Sequence, residues 1–230
     1  LGVSGIACVK GLNKLGADII VYDNLTKDKL KEKLGELEGI NANYYLGNDD
    51  FDIHDIELAF KSLGIKYEIP LIEKLLYNNI KVISDLEAAY LIAKSSIVSI
   101  TGTNGKTTTT TLVGEIIKKS NRKYRVTGNI GFGIFLDALS AQSDEILVAE
   151  TSSFQLAGTY DFKPHVSVIT NITPDHLDFH HTFDNYIEAK FKNVNNQDSK
   201  DYAILNYEDE IIRNNSNNLK AKKIFFSSDR

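Results

Sequence analysis

The run Thr101-Gly102-Thr103-Asn104-Gly105-Lys106-Thr107-Thr108 restricts this chain more than any other feature. It directly follows the apolar stretch Ile97-Val98-Ser99-Ile100 and opens a helix-length segment at 107–119. A strand that enters a glycine turn and leaves as a helix brings backbone N–H groups to an anion. Glycine lets the main chain approach closely, and the helix N-terminus adds unpaired donors and the positive end of a dipole. The pattern predicts a nucleoside triphosphate site. Lys106 would supply a point charge to the β/γ-phosphate region, and the Thr107 hydroxyl is placed to hold Mg²⁺. The bland alternative is a glycine turn capped by threonine. It is disfavoured because five successive β-branched threonines begin a helix poorly on propensity alone. The interval from Gly102 to Lys106 is shorter than in the general phosphate-loop pattern, so a generic match fails.

Strand and helix patterns alternate on both sides of this loop. Residues 6–15 read as an apolar helix after a glycine-rich start, and Ile19-Ile20-Val21 is a short strand ending at Tyr22-Asp23. A charged segment with helical period covers 27–37. Strand patterns near Tyr44 and Leu58 follow, then a helix opened by Pro70, a strand at Val82-Ile83 and a helix over 86–93. This is the pattern of half a dinucleotide fold. It restarts at Lys94-Ser95-Ser96, which places a domain boundary between 94 and 95. Further strands are predicted at 145–149, 166–170, 203–205 and 224–226, with a helix over 183–194. The predicted fold class is α/β: a Rossmann-like domain over 1–94 lacking its first strand, then a phosphate-loop ATP-binding domain over 95–230 with a mostly parallel sheet.

Composition narrows the function classes. The 230 residues carry 26 Lys+Arg against 31 Asp+Glu, a formal charge of -5, and neither half is a polybasic arm, which disfavours nucleic acid as a partner. No apolar run approaches the roughly eighteen residues a membrane span requires. The one cysteine, Cys8, has no partner for an internal disulfide, and a reducing cytoplasm fits this usage. The chain starts at Leu1 and contains no methionine, so it is read as trimmed or incomplete.

Beyond the loop, Gly128-Asn129-Ile130-Gly131, then Glu150-Thr151-Ser152-Ser153-Phe154-Gln155-Leu156, then Asn171-Ile172-Thr173-Pro174-Asp175-His176-Leu177-Asp178, then Tyr186-Ile187-Glu188-Ala189-Lys190 follow in order. With the loop, these five blocks resemble the Mur ligase family, the ATP-dependent amide ligases of peptidoglycan precursor synthesis, and their folylpolyglutamate synthetase relatives. The Ser-Ser-Phe-Gln-Leu block and the start Gly2-Val3-Ser4-Gly5-Ile6-Ala7 most resemble the branch that adds D-glutamate. The resemblance covers essentially the whole chain. It implies UDP-N-acetylmuramoyl-L-alanine, D-glutamate and ATP as substrates, two Mg²⁺ ions as cofactors, a monomer, and a third domain that closes over the site and lies beyond Arg230.

The resemblance also distributes roles. Gly102, Thr103, Asn104, Gly105, Lys106, Thr107 and Thr108 would bind ATP. Lys106, Glu150, His176 and Lys190 would be catalytic, and Thr107, Glu150, His176 and Lys190 would organise the metals, with Lys190 carbamylated by CO₂. Without it, Glu150 is equally a solvated carboxylate at a strand end. Asp175, His176, Asp178, His180 and His181 could then be a zinc cluster, which is disfavoured, and Lys190 a surface charge. Asn129 and Gln155 would be neutral donors near substrate and phosphates, or simply turn and cap residues.

Gly2 to Gly5 followed by Asp23 resembles a weak dinucleotide fingerprint, and the family uses that geometry for UDP. Val3, Ser4, Asp23, Asn24 and Gly64 are therefore candidate substrate contacts. The family carries Ser-Pro-Gly where this chain has Ser62-Leu63-Gly64, and leucine leaves free a backbone that proline would fix. The rival readings are a UDP- and ATP-binding module without turnover, another branch of the same family, and an unrelated NAD oxidoreductase built on Gly2 to Asp23, which leaves the loop unexplained.

Overall fold

The computed structural model describes residues 1–48, 51–129 and 133–228. The N-terminal part runs through α1 (Val3–Lys14), β1 (Ile20–Asp23), α2 (Lys31–Gly35), β2 (Asn43–Leu46), β3 (Leu58–Phe60), α3 (Pro70–Tyr77), β4 (Lys81–Ile83) and α4 (Asp85–Ile92). The C-terminal part contains β5 (Ser96–Thr101), α5 (Lys106–Lys119), β6 (Lys123–Gly128), α6 (Ile134–Ser140), β7 (Glu145–Glu150), α7 (Ser153–Ala157), β8 (Val166–Ile169) and α8 (Leu177–His180). It ends with α9 (Phe183–Asn195), β9 (Tyr202–Asn206), α10 (Glu210–Asn215) and β10 (Lys222–Phe226).

Strands β5 to β10 form one parallel sheet in the order β10-β9-β8-β5-β7-β6. Its central strands are short apolar runs because both faces are covered, the usual state of a parallel sheet. On one face Ile97, Leu147 and Ala149 pack against α6, α7 and Phe162; on the other, Ile100, Ile146, Val148 and Val168 pack against the inner side of α5. Strand order reverses at β5, with β7 and β6 on one side and β8 to β10 on the other. Ligands of open α/β sheets collect in the crevice beyond the carboxyl ends of strands at such a switch point. The glycine loop occupies that position.

Two expectations change. The N-terminal strands make two separate parallel pairs, β1–β2 and β3–β4, instead of one sheet. The charged segment at 27–37 is a 3-10 turn (Lys27–Leu30) followed by the single helical turn of α2, because only Leu30 and Leu37 are buried there and two anchors seven residues apart do not hold a long helix. The structure also adds β6, α6, α7, α8 and α10. Strand β6 has the polar sequence Lys-Tyr-Arg-Val-Thr-Gly, which suits a sheet edge and carries no apolar run.

The predicted boundary falls between α4 and β5, yet α4 packs in both directions. Leu86 and Ala89 join the core of the six-stranded sheet, while Ala88 packs with Cys8, Ile83 and Phe135. Ser84 caps α4 through its hydroxyl and donates its N–H to the Gly158 carbonyl at 2.9 Å. The Glu87 carboxylate, 1% exposed, accepts from the backbone N–H groups of Tyr160, Asp161 and Phe162 at 3.1, 2.8 and 3.0 Å. Three backbone donors, that of Phe162 buried and those of Tyr160 and Asp161 part-buried, depend on this one side chain, and a buried donor left without a partner costs about 1–3 kcal/mol. Glu87→Ala is expected to lower the urea-unfolding free energy by about 3 kcal/mol, and Glu87→Gln, which keeps one acceptor oxygen, by clearly less.

Candidate functional site

The loop between β5 and α5 is fastened to the segment after β8. Thr103 N–H donates to Asn171 O at 2.8 Å, and the Asn104 peptide is gripped on both sides by the Asn171 side chain, which accepts from its N–H at 2.9 Å and donates to its carbonyl at 3.0 Å. The approach is so close that a Cβ on Gly102, whose φ is +154°, would sit 1.9 Å from Thr170 Oγ1. Gly105 takes the left-handed conformation that starts α5. The first intrahelical bond runs from Thr109 N–H to Gly105 O, so the amides of Lys106, Thr107 and Thr108 precede it and remain helix-end donors. The threonine run is reconciled with the helix by hydroxyls that bond one turn back: Thr110 to Lys106 O and Thr111 to Thr107 O, both at 2.8 Å.

Glu150 ends β7 beside this helix. Its carboxylate, in a residue 2% exposed, accepts from the Thr107 hydroxyl at 2.6 Å and from Asn129 Nδ2 at 3.1 Å. Asn129 N–H also donates to Glu150 O at 2.8 Å, and a Cβ on Gly128 would meet that same oxygen at 2.1 Å. The sequence expectations for Thr107, Asn129 and Glu150 thus meet at one point. Ile130 and Gly131 of the same block lie outside the described residues. A buried carboxylate oriented by a threonine hydroxyl is a hard-oxygen donor set of the kind magnesium accepts, so these residues fit that ion.

Two lysines converge on the loop from opposite sides. Lys106 Nζ donates to Gly102 O at 3.0 Å and Thr103 O at 2.8 Å, and Lys190 Nζ donates to the same Gly102 O at 2.6 Å. Lys190 is 2% exposed, lies 4.7 Å from the Tyr186 ring, and is far from the solvated residue its position on an amphipathic helix suggests. Burial first, and the Lys106 charge second, pull its pKa down to about 7. The Tyr186 hydroxyl lies 3.1 Å from Thr103 Oγ1, tying α9 to the loop.

His176 stands in a left-handed conformation at the start of α8, its ring 4.8 Å from Phe154 and its Nε2 3.4 Å from Asp175 Oδ2. The His/Asp stretch after β8 fans out instead of converging. His180 is buried with Nε2 3.0 Å from Ser153 Oγ, and His181 reaches Glu68 at 2.9 Å. Among the described residues, no group of three or more His, Cys, Asp or Glu side chains is gathered to hold an ion. Gln155 is fully buried. Its amide completes a capping box with Ser152 and donates to Asp85 Oδ1 at 3.1 Å, so in this conformation it offers no free donor to a substrate. Burial raises the Asp85 pKa, with the Gln155 hydrogen bond opposing.

The N-terminal candidates lie around the first turn of α1. Asp23 Oδ1 accepts from Leu25 N–H at 2.9 Å. Val3, Asn24 and Gly64 are exposed and Ser4 half-buried, with Gly64 at φ +81°. Asn171, Tyr186 and Phe154 are parts of the site to which sequence reasoning assigned no role; each sits in a recognised block, but its contact is tertiary.

A glycine-rich loop at the switch point of a parallel sheet, with a buried acidic residue facing its Lys-Thr pair, places the chain in the α/β class of open parallel sheets. The family model for the Mur ligase middle domain matches residues 100–230. The chain belongs to the Mur ligase family. It is 44% identical over 229 residues to the UDP-N-acetylmuramoylalanine–D-glutamate ligase of Alkaliphilus oremlandii, covering 98% of this chain and 50% of that protein. It is also 44% identical over 230 residues to the enzyme of the same name from Clostridioides difficile, covering 99% and 51%. The chain thus spans about half the length of these curated relatives. The crystal structure of the UDP-N-acetylmuramate:L-alanyl-gamma-D-glutamyl-meso-diaminopimelate ligase of Neisseria meningitides shares the fold, with a TM-score of 0.60 at 15% identity over 97% of this chain and 74% of that one. MurF ligase of Thermotoga maritima, in complex with ADP, matches with a TM-score of 0.54 at 22% identity over 75% and 47%. Among the described residues no helix is long and apolar enough to cross a membrane.

His180 yields a pH prediction. Burial first, then the charges of His176 and Lys190, lower its pKa from 6.5 to about 4. The fold therefore favours the neutral ring, while the unfolded chain takes up its proton near pH 6.5, so stability is lost as pH falls from about 6.5 through about 4. The His180 ring nitrogens are expected to keep the NMR shifts of neutral imidazole at about pH 5.5, and His180→Asn to flatten that part of the unfolding free energy curve.

Proposed function

We propose that this protein is an ATP-dependent amide ligase that joins D-glutamate to UDP-N-acetylmuramoyl-L-alanine in peptidoglycan precursor synthesis. The observation that carries the reading is the 44% identity to ligases of that name over 98% of the chain. Residues 1–94 would hold the UDP end of the substrate through Val3, Ser4, Asp23, Asn24 and Gly64, and residues 95–230 would hold ATP on Gly102 to Thr108. A purely binding role is not favoured, because Glu150 and Lys190 are charged groups buried at the loop, which phosphate binding alone does not require.

The chemistry follows from charge. A carboxylate cannot be attacked by an amine until it carries a leaving group, and passing a phosphoryl group to it brings anions together. Lys106, freed from the loop carbonyls, would neutralise charge on the transferring group. Thr107 and Glu150 would present oxygen donors to the phosphates, with His176 contributing from the start of α8. Magnesium, when bound, supplies charge neutralisation at the phosphates; Thr107, Glu150, His176 and Lys190 are the residues we assign to two such ions. As an amine Lys190 is a poor partner for magnesium. With a pKa near 7 it is partly neutral, and its lone pair can add to CO₂, forming an N–C bond and releasing a proton to give an oxygen-donor carbamate. The amine of D-glutamate would then displace phosphate from the acyl phosphate to form the amide.

The test is phosphate release and product analysis by the full-length protein with Mg·ATP, UDP-N-acetylmuramoyl-L-alanine and D-glutamate. Release is expected to require all three, and Lys106→Ala is expected to lower kcat by about a hundredfold or more, the scale on which one stabiliser of developing charge acts. Release that ignores D-glutamate but requires another amino acid would move the protein to a different branch of the family.

A further inference from the structure

The turn after β3 is held from the inside by a lysine. The Lys61 N–H donates to Ile83 O at 2.9 Å, which fixes it at the carboxyl edge of the β3–β4 pair. Its side chain is turned away from water: the residue is 6% exposed, Nζ donates to Ile65 O at 2.6 Å, and the ammonium lies 4.7 Å from the Tyr67 ring and 5.2 Å from the Phe179 ring. Within the turn, Ile65 N–H donates to Ser62 O at 3.3 Å and Gly64 has φ +81°. That is the pattern of a type II turn, and its second position, here Leu63, is the one proline favours because the ring presets φ. In this chain a leucine stands there, and the ammonium spanning 61 to 65 restricts the turn instead.

Both ends of the clamp touch candidate site elements. A Cβ on Gly5 would lie 3.1 Å from Ser62 Oγ, so the turn rests against the first turn of α1 beside Val3 and Ser4. On the other side Phe179 packs edge-on against Phe154 at 4.7 Å, and Phe154 lies 4.8 Å from the His176 ring. Lys61 therefore joins the turn at 62–65 to the aromatic stack beneath His176. Resting on the ligase reading, we propose that Lys61 is a positioning residue for the nucleoside diphosphate end of the substrate, preorganising the 62–65 turn against α1 through its bond to the Ile65 carbonyl.

The full-length protein and its Lys61→Met variant, which keeps the apolar stem and loses the donor, are compared for KM toward UDP-N-acetylmuramoyl-L-alanine, kcat, and calorimetric Kd for UDP and for ATP. The expected result is a rise of about tenfold in KM and in the UDP Kd, with kcat and the ATP Kd within about twofold of the parent. Adding Leu63→Pro to Lys61→Met is expected to bring KM and the UDP Kd back to within about twofold, since proline restores the lost restriction. If Lys61→Met does not fold, Lys61→Leu, which also lacks a donor, with and without Leu63→Pro is read in the same way. An unchanged UDP Kd, or a raised one that Leu63→Pro fails to lower, overturns the proposal. A parent that shows this UDP pattern without D-glutamate-dependent turnover overturns the ligase reading and leaves the clamp standing; a parent that does not bind UDP overturns the clamp.

Discussion

Two ammonium groups share one peptide oxygen, the carbonyl of Gly102, and the rest of the site is arranged around that fact. One carbonyl offers two lone pairs but only a fraction of a negative charge, and Lys190 titrates low because of its burial first and repulsion from Lys106 second. The loop can hold such a pair because it is not free to recoil. Asn171 grips one peptide, Thr170 leaves no room for a side chain at Gly102, and Tyr186 reaches Thr103 from α9. Positive charge is thus concentrated at the glycine turn that opens α5.

The position of the second lysine is set from below. Asn193, one helical turn beyond Lys190 and fully buried, accepts from Ser99 Oγ at 2.5 Å, donates to Val168 O at 3.4 Å, and accepts through its own carbonyl from Ser167 Oγ. Ser99 also meets Thr151 Oγ1 at 3.0 Å, immediately after Glu150. One polar peg between α9 and the sheet therefore sets both the register of Lys190 and the backbone that carries Glu150. Buried networks of this kind fix geometry because every member loses a partner if one shifts.

What could be read from sequence depended on whether the relevant neighbours were also sequence neighbours. The loop was legible because strand, glycines, lysine and threonine adjoin in the chain, and the helices opened by Pro70 and by the threonine run fell where expected. The burial of Lys190 was not legible, since it comes from α9 lying on the sheet, and only the resemblance singled that residue out. Gln155 reads equally as a donor or a cap until Asp85, seventy residues earlier, is seen to receive its amide. Nothing in the order of residues marks Lys61, whose rings at 67 and 179 come from different parts of the chain. Strand β6 was missed because an edge strand needs little apolar surface.

Helix α4 covers the six-stranded sheet with Leu86 and Ala89 and packs toward α1 with Ala88, while Glu87 holds the 160–162 backbone. Its packing ties it to the sheet. A chimera that exchanges N-terminal parts between two relatives would keep the core of the six-stranded sheet intact if joined ahead of Ser84, and would tear it if joined at residue 94, where the change of pattern in the sequence is easiest to see. Mechanically, the same helix makes the junction a stiff one, so bending of the chain has to be sought outside the stretch from Ser84 to β5.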